Sequence, residues 1–307
     1  MSDIKLFHIS NGTVHELQVT SIAIEKTLQT LIEKHLEVFL GVRFLATEHP
    51  TGKTHGGRID TLGIDENGSP VIIEYKQALN ANVINQGLFY LNWLMDHKGE
   101  FEVLVWKKLG KQEADSIDWS APRLLCIASD FTKFDEHAIQ QINQNIELIR
   151  YRRYGNEFLL FDLVNAITAQ ASMEVNDADN VVRNKRVSNY KTASELLEEA
   201  SPDLNDRFEA LKAFLLALGD NAQMTVRKTY FAFRRIKNFA CVEIQPQSKR
   251  LIVWVKIDPS GIELEKGFTR DVRKIGHYGT GDLEISIQSA DDLERAKPFL
   301  LKSYEVS

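Results

Sequence analysis

The sequence predicts an α/β protein with a mixed sheet flanked by helices, followed by a smaller α+β domain. The chain has 307 residues, which is enough for two domains of ordinary size. Strand-like and helix-like runs alternate through its first part, as is typical of a sheet covered by helices. A polar stretch without sustained apolar periodicity follows. We therefore expect domains at residues 1–171 and 190–307, joined by a linker at residues 172–189.

The composition is that of a globular protein, with 43% hydrophobic and 26% charged residues. The formal net charge of −6 excludes wholesale coating of nucleic acid or membrane by positive charge, although it permits a local basic groove. Cys126 and Cys241 support neither a zinc ribbon nor a disulfide framework. The chain shows neither a secretory signal pattern nor an apolar run near the ~20 residues that span a bilayer. We expect a cytoplasmic protein with no membrane association.

Local patterns predict the first elements of the chain. An Asn-Gly pair at residues 11–12 lies between alternating runs at Ile4–Ile9 and Val14–Thr20, which predicts a hairpin. A helix is expected over residues 21–40, with the serine at its start as N-cap. A strand near Val42–Thr47 follows.

A second hairpin is predicted around the turn Asp65-Glu66-Asn67-Gly68, which lies between two apolar, β-branched runs. The next helix is expected from about Asn80 to His97. The remaining expected elements, in chain order, are a helix at Gly99–Leu109, strands at Arg123–Ala128, Ile146–Tyr154 and Glu157–Val164, helices at Ala193–Glu199 and Asp203–Leu218, strands within Thr225–Ile257, and a helix at Ala290–Tyr304.

The second hairpin brings charged side chains together. If its turn is centred near Asn67, paired positions sum to 134, and Asp60 faces Glu74 with Lys76 on the same side of the strand. Opposed carboxylates repel, and apolar neighbours would desolvate them, so the pair calls for a cation. Lys76 supplies some positive charge, but a divalent metal with oxygen ligands fits better. A charged cluster on a solvated sheet face is the alternative, and a bulge would move Asp60 out of register.

Ile59-Asp60, followed after the turn by Glu74-Tyr75-Lys76, resembles the core motif of the PD-(D/E)xK nuclease superfamily. The likeness is greatest to its archaeal-type mismatch endonucleases and Holliday-junction resolvases. The resemblance implies a restriction-endonuclease-like sheet and hydrolysis of phosphodiester bonds, in DNA, with Mg²⁺ or Mn²⁺. It implies Asp60, Glu74 and the carbonyl of Tyr75 as metal ligands, and Lys76 as the group that orients or deprotonates water.

The resemblance also implies an acid on the preceding helix and a glutamine on the following one. At ~100° per residue, Glu25 lies inside the apolar arc of the first helix, whereas Glu33 and Glu37 lie outside it. Glu25 is therefore the expected further metal ligand, directly or through water. Compensation of the helix dipole is its alternative role. Gln86 is expected to position water or phosphate, the alternative being a rim position on an amphipathic helix.

Nucleic-acid contacts are expected beside the motif. Arg58 stands two residues before the motif aspartate and is expected to contact the nucleic acid. Tyr90 and Trp93 follow Gln86 on one helical stripe and are expected to stack on bases. Packing against the sheet is the alternative for both rings.

The C-terminal part resembles a domain of unknown function that occurs alone or behind other modules, a resemblance that implies no mechanism. Residues 227–256 carry eight basic side chains and one acidic one. Among them, Arg234, Arg235 and Lys237 alternate with aromatic residues and are expected to contact nucleic acid. Aromatic residues in the core beneath a solvated basic face are the alternative.

A glycine-rich stretch at residues 276–282 lacks the G-K-[ST] ending of a phosphate-binding P-loop, which favours a tight turn between strands.

The sequence thus predicts a metal-dependent nuclease that acts on nucleic acid, expected to be DNA, and that can form a homodimer. A nucleic-acid-binding protein that kept the nuclease fold without turnover is the first alternative. A protein-interaction module on the same fold is the second. A basic rim around Asp60 and Glu74 would favour the first two readings, and an acidic rim would favour the third.

Overall fold

The computed structural model of the protein describes residues 4–20, 25–76, 82–167 and 191–307. The chain divides into two compact units, Met1–Ala169 and Gln170–Ser307, called here the first and second units. The predicted linker at residues 172–189 and the predicted N-cap at residue 21 lie outside the described residues.

The described residues of the first unit form a sheet with helices on it. In chain order its elements are β1 (Leu6–Ser10), β2 (Thr13–Leu17), β3 (Val19–Thr20), α1 (Glu25–Lys34), α2 (Leu36–Leu40), β4 (Val42–Pro50), α3 (Gly52–His55), β5 (Arg58–Asp65), β6 (Pro70–Lys76), α4 (Asn82–Asp96), α5 (Lys98–Leu109), α6 (Lys111–Asp115), β7 (Arg123–Ala128), α7 (Lys133–Ile139), β8 (Asn145–Tyr154) and β9 (Phe158–Ile167).

The sheet of the first unit is mixed. Its strands run in the order β3-β8-β7-β6-β5-β4, with β9 also paired to β8. Strands β6, β7 and β8 are parallel, and the other neighbours are antiparallel. Residues of α4 share a buried cluster with Ile72 and Leu124, whereas α1 contacts the opposite face at Thr61. The predicted fold class, a mixed sheet flanked by helices, is confirmed.

Two of the local expectations can be compared with the structure directly. The hairpin of β1 and β2 turns at Asn11 and Gly12, whose φ angles of 49° and 77° suit the twist of a two-residue hairpin loop. The expected helix over residues 21–40 is interrupted. α1 ends at Lys34, and α2 then ends against Gly41, whose left-handed backbone favours glycine.

The second hairpin is held at its turn by Asp65. Its Oδ1 accepts hydrogen bonds from the backbone N–H groups of Asn67 (2.9 Å) and Ser69 (2.8 Å). Its Oδ2 accepts from Arg123 Nη1 at 3.0 Å. Arg123 also donates to both carboxylate oxygens of Glu147, at 2.9 and 3.0 Å. This buried ion group ties the hairpin to the first residues of β7 and β8.

The close approach of α4 to the sheet depends on a glycine. A Cβ at Gly87 would lie 2.4 Å from Leu124 Cδ1 in β7, so any larger residue would have to displace the Leu124 side chain. Glycine therefore allows the helix to pack closely on Leu124 in its present position. Cys126, also in β7, is a fully buried free thiol.

The second unit contains an antiparallel sheet. Its elements are α8 (Ala193–Glu198), α9 (Pro202–Leu216), β10 (Gln223–Val226), β11 (Phe231–Arg234), β12 (Asn238–Gln245), β13 (Arg250–Val255), a 3₁₀ turn (Pro259–Gly261), β14 (Thr269–Asp271), β15 (Leu283–Ile287) and α10 (Ala290–Glu305). The strand order is β10-β11-β12-β13-β15-β14. This α+β organisation confirms the expected class of the C-terminal part.

The two faces of this sheet differ. One face packs against α8, α9 and α10 through the large apolar cluster that contains Phe208, Phe233 and Leu300. The opposite face, called here the second face, carries a smaller buried cluster that includes Cys241 and Trp254. No helix within the described residues is long and apolar enough to cross a membrane.

The buried ion group should contribute strongly to stability. In Arg123→Ala the carboxylates of Asp65 and Glu147 remain buried without their counter-ion, so we expect a loss of about 3–5 kcal/mol in the free energy of unfolding, measured with urea. Arg43→Ala is the matched control. Its ion pair with Glu113 is partly exposed, so the loss should stay below ~1 kcal/mol. Equal losses in the two variants would contradict the proposed importance of burial.

Candidate active site

β5 and β6 separate at the two acids of the motif. Their ladder runs in the predicted register, in which paired positions sum to 134, and its last pair is Thr61 with Ile73. Beyond that pair, β5 continues beside β4, whereas β6 continues beside β7. Asp60 and Glu74 are the next positions, so their side chains lie where the two strands part.

Asp60 and Glu74 are joined by two hydrogen bonds in place of further ladder bonds. The N–H of Asp60 donates to Glu74 Oε1 at 3.1 Å, and the N–H of Tyr75 donates to Asp60 Oδ2 at 3.0 Å. Each carboxylate therefore accepts a backbone N–H from the other strand.

The burial of this pair makes its charge costly. Glu74 is 0% exposed and Asp60 is half-buried. Two carboxylates in a poorly solvated place repel unless positive charge compensates them. Two carboxylates with the Tyr75 carbonyl form a set of hard oxygen ligands, the type that Mg²⁺ prefers, so these residues fit the implied ion.

The described side chains include no group of three or more His, Cys, Asp and Glu residues that could hold a metal. The candidate set therefore has two carboxylates. The side chain of Glu25, the first residue of α1, lies outside the described residues, and its expected role stays a prediction.

Lys76 ends β6 on the same side of the strand as Glu74. It is half-buried, and in the parallel ladder it pairs with Ala128. One strand period, ~7 Å, separates it from Glu74 along the chain. The expected arrangement of Asp60, Glu74 and Lys76 at one place is thus compatible with the structure, while their roles stay predictions.

A polar contact from α1 supports the motif strand. Gln29, which is 3% exposed, donates from Nε2 to the carbonyl oxygen of Asp60 (2.8 Å), to Thr47 Oγ1 (3.2 Å) and to Glu33 Oε1 (2.9 Å). Glu33 Oε1 also accepts from Thr61 Oγ1 at 2.6 Å. The helical periodicity predicts that Glu33 lies outside the apolar side of the helix. In the structure its side chain is half-buried against β5.

Gln29 and Glu33 were not among the expected site residues, although the sequence contains a signal for them. Glu25, Gln29 and Glu33 are spaced by four residues, which puts them on one stripe of a helix. A polar stripe beside an apolar face indicates contact with polar groups of the sheet.

Tyr75 lies on the other side of β6 from Glu74 and is fully buried. Burial raises the pKa of its phenol, the hydrogen bond from Thr61 lowers it, and the charges of Glu33, Asp60 and Glu74 raise it further. The phenol is therefore neutral at physiological pH. Its side chain cannot serve as a charged group in the site.

The expected glutamine on α4 lies near the start of β5. Gln86 is half-buried, and its Nε2 donates to the hydroxyl of Tyr90 at 3.2 Å. The same hydroxyl accepts from the N–H of Arg58 at 3.2 Å. The side chain of Arg58 is 68% exposed and lies 3.5 Å from Glu48. Contact of Arg58 with nucleic acid stays a prediction.

The expectation that Tyr90 and Trp93 stack on bases is wrong. They are 5% and 2% exposed, because the stripe that carries them is the side of α4 that packs on the sheet. Trp93 stacks on His97, with ring centroids 4.7 Å apart. Both rings belong to the core, which was the alternative.

The expectation that Arg234 contacts nucleic acid is also corrected. Arg234 is 5% exposed, and its guanidinium points toward the carbonyls of Arg235 (3.4 Å) and Ile236 (3.5 Å) in the turn after β11. Arg235 lies over the ring of Tyr304, 4.7 Å from its centroid. Lys237 is half-buried. A buried guanidinium that donates to backbone carbonyls is not open to a phosphate, so the expectation is wrong for Arg234, whereas contact of Arg235 and Lys237 with nucleic acid stays a prediction.

Comparison with known proteins gives two matches in sequence. Residues 193–307 match the family described as a domain of unknown function, DUF5655. This match confirms the expected likeness of the C-terminal part. An uncharacterized protein from Haemophilus influenzae is 28% identical over 297 residues, which cover 94% of this chain and 96% of that relative.

Similar solved structures include a repair endonuclease from Pyrococcus abyssi, at 17% identity and a TM-score of 0.29, over 45% of this chain and 51% of that chain. A complex of EndoMS with double-stranded DNA is similar at 20% identity and a TM-score of 0.25, over 44% of this chain and 47% of that chain. The chain thus spans about half the length of these solved chains. The activities in their names belong to those proteins.

The contact from Gln29 can be tested by substitution. Gln29→Leu keeps the size and burial of the side chain but removes the donor to the Asp60 carbonyl, so we expect a loss of about 1–3 kcal/mol in the free energy of unfolding. Thr30→Val is the control, since Thr30 is exposed and its hydroxyl donates to the carbonyl of Lys26 within α1. Urea denaturation measures both. A neutral effect of Gln29→Leu would show that this contact does not support β5.

Proposed function

We propose that the chain is a metal-dependent nuclease that hydrolyses phosphodiester bonds in DNA. The observation that carries the proposal is the reciprocal bonding of Asp60 and Glu74 where β5 and β6 separate. Two carboxylates are held there with little solvent, and Lys76 lies on the same side of β6. The arrangement matches what the sequence motif implies for phosphodiester hydrolysis.

The carboxylates of Asp60 and Glu74 and the carbonyl of Tyr75 would hold Mg²⁺ or Mn²⁺. The ion would supply positive charge to the phosphate and lower the pKa of a bound water. The backbone N–H groups that bond the two carboxylates fix their positions before any ion binds. Such preorganisation reduces the reorganisation that binding requires.

Lys76 and Gln86 would act on the reactants. The ammonium of Lys76 places positive charge where negative charge develops on the phosphorus oxygens, and its partial burial weakens solvent screening of that charge. The amide nitrogen of Gln86 is bonded to Tyr90, which orients the amide oxygen to accept a hydrogen bond from water. The exposed Arg58 would contact the DNA backbone. A cytoplasmic location and a homodimer remain predictions.

The first test of this proposal is stabilisation by metal. Mn²⁺ or Mg²⁺ should raise the thermal midpoint of the wild-type chain, by an amount equivalent to ~2.7 kcal/mol at one hundred times the Kd. Asp60→Asn and Glu74→Gln should abolish this rise while keeping side-chain shape. Glu37→Gln, at an exposed acid of α2, should retain it. A full metal-dependent rise in Asp60→Asn would refute the site.

The second test is turnover on single-stranded, duplex, mismatched and branched DNA. We expect cleavage that requires Mg²⁺ or Mn²⁺ and stops with a chelator. Lys76→Met should keep the metal-dependent rise in thermal midpoint but lose roughly 10²–10³-fold in cleavage rate, because its charge acts on the transition state. DNA binding without cleavage in the wild type would favour a binding protein on the same fold. Wild-type turnover in Lys76→Met would remove that residue from the mechanism.

A further inference from the structure

The second face of the β10–β15 sheet contains a cavity of about 350 Å³. This volume lies within the ~300–1,000 Å³ typical of small-molecule sites. Strand register brings Trp254, Glu284 and Arg270 into one row across the cavity. Glu284 Oε2 accepts from Trp254 Nε1 at 3.3 Å and from Arg270 Nη2 at 2.7 Å. The row therefore combines an aromatic ring with an ion pair.

A neighbouring row adds a second acid. Glu243 and Ser286 flank Ile252 in cross-strand register, and all three line the cavity. Glu243 Oε1 accepts from Gln245 Nε2 at 3.0 Å, while Gln245 Oε1 accepts from Arg250 Nε at 2.8 Å. The terminal amino groups of Arg250 make no other hydrogen bond within the described part of the chain, so they remain available to a ligand.

The glycine-rich stretch closes one side of the cavity. It is part of the eleven-residue connection, residues 272–282, between β14 and β15, which is not the expected tight turn, and it lies across the second face. A Cβ at Gly279 would come within 2.5 Å of Cys241 Cβ, so only glycine lets the stretch pack this closely against β12. His277 stacks on Trp254 with ring centroids 5.3 Å apart, and the neighbouring Tyr278 is 47% exposed. Trp254 itself is only 3% exposed, so the aromatic surface that a ligand in the cavity can reach is that of His277 and Tyr278.

The cavity lining carries two acidic and two basic side chains. Glu243 and Glu284 face Arg250 and Arg270. Burial raises the pKa of Glu243, its hydrogen bond with Gln245 lowers it, the charge of Glu284 raises it again, and the charge of Arg250 lowers it. A hydrogen-bond donor from a ligand would relieve both the burial and the repulsion of these acids.

We propose that this cavity binds a nucleotide, with an amino-bearing base between the aromatic wall and the two acids and its phosphate at Arg250. Aromatic rings beside hydrogen-bonding groups recognise bases through stacking and through their edges. Guanidinium groups are the usual partners of phosphate. Two arginines would repel a simple cation, and two carboxylates would repel a simple anion. The lining therefore favours a ligand that has both hydrogen-bond donors and an anionic group.

The nucleotide has two possible sources, a free nucleoside monophosphate or one nucleotide of a single strand. Both present the same base and phosphate to the cavity. The site lies entirely in the second unit and does not use the motif acids. The proposal therefore stands or falls separately from the nuclease activity.

Calorimetric titration of the full chain in a chelator tests the proposal. The probes are AMP, GMP, CMP, UMP, inorganic phosphate and a single-stranded DNA hexanucleotide. AMP, GMP and CMP should bind saturably and more tightly than UMP, which has no exocyclic amino group. Glu243→Gln should reduce this preference. Competition between the hexanucleotide and the mononucleotides would assign the site to a strand, and its absence would assign it to free nucleotides.

A blocking variant locates the site. Gly276 lines the cavity, its backbone is not left-handed, and a Cβ there would meet nothing within 4 Å, so Gly276→Trp should fill the cavity without strain. Binding should weaken roughly tenfold or more through loss of stacking. Gly261→Trp is the matched control, since Gly261 is equally open but lies outside the cavity. Arg250→Gln, a second variant that removes the guanidinium but keeps a polar side chain, should also weaken binding.

Three results would overturn the proposal. The first is no saturable binding of any nucleotide to the wild-type chain. The second is unchanged binding in both Gly276→Trp and Arg250→Gln. The third is equal affinity for inorganic phosphate and for the mononucleotides, which would leave the base without a role.

Discussion

The register of the β5–β6 hairpin is the constraint on which the candidate site depends, and Asp65 fixes it from both of its oxygens. One oxygen accepts two backbone N–H groups of the turn, which sets where the strands begin to pair. The other binds Arg123, which anchors the turn to β7 and, through Glu147, to β8. A shift of one residue would turn Asp60 away from Glu74 and move apolar side chains to the wrong face. Packing and site geometry therefore select the same register.

Sequence patterns could predict this hairpin because turn chemistry and strand periodicity are local. The register sum of 134, the strands and the α4 helix all follow from residues near one another in the chain. Local patterns could not predict the separation of β5 and β6, since it arises from β7, about fifty residues later. They also could not decide which side of α4 is buried. The sequence pattern therefore predicts a surface position for Tyr90 and Trp93, although the sheet covers them.

In the second unit, local sequence patterns predict the positions of polar side chains even less well. Charge and aromatic content indicate a nucleic-acid surface around Arg234. The structure instead buries this guanidinium, which donates to two carbonyls of a nearby turn. The cavity on the second face joins residues from β12, β13, β14 and β15, whose separation along the chain hides their proximity. Only cross-strand pairing brings Glu243 and Glu284 to the same place. Long-range register, rather than composition, thus locates the polar chemistry of this unit.

The two buried cysteines have a practical consequence for the study of local motion. Cys126 lies beside Glu74 in the parallel ladder, and burial, with the charges of Glu74 and Asp135, raises the pKa of its thiol, so the closed protein resists alkylation. Cys241 is buried in the other unit, beneath the glycine-rich stretch. Each unit therefore contains a natural thiol whose reaction rate can report local opening. The rate at which a thiol reagent labels either position measures how often that part of the chain opens, without any introduced probe.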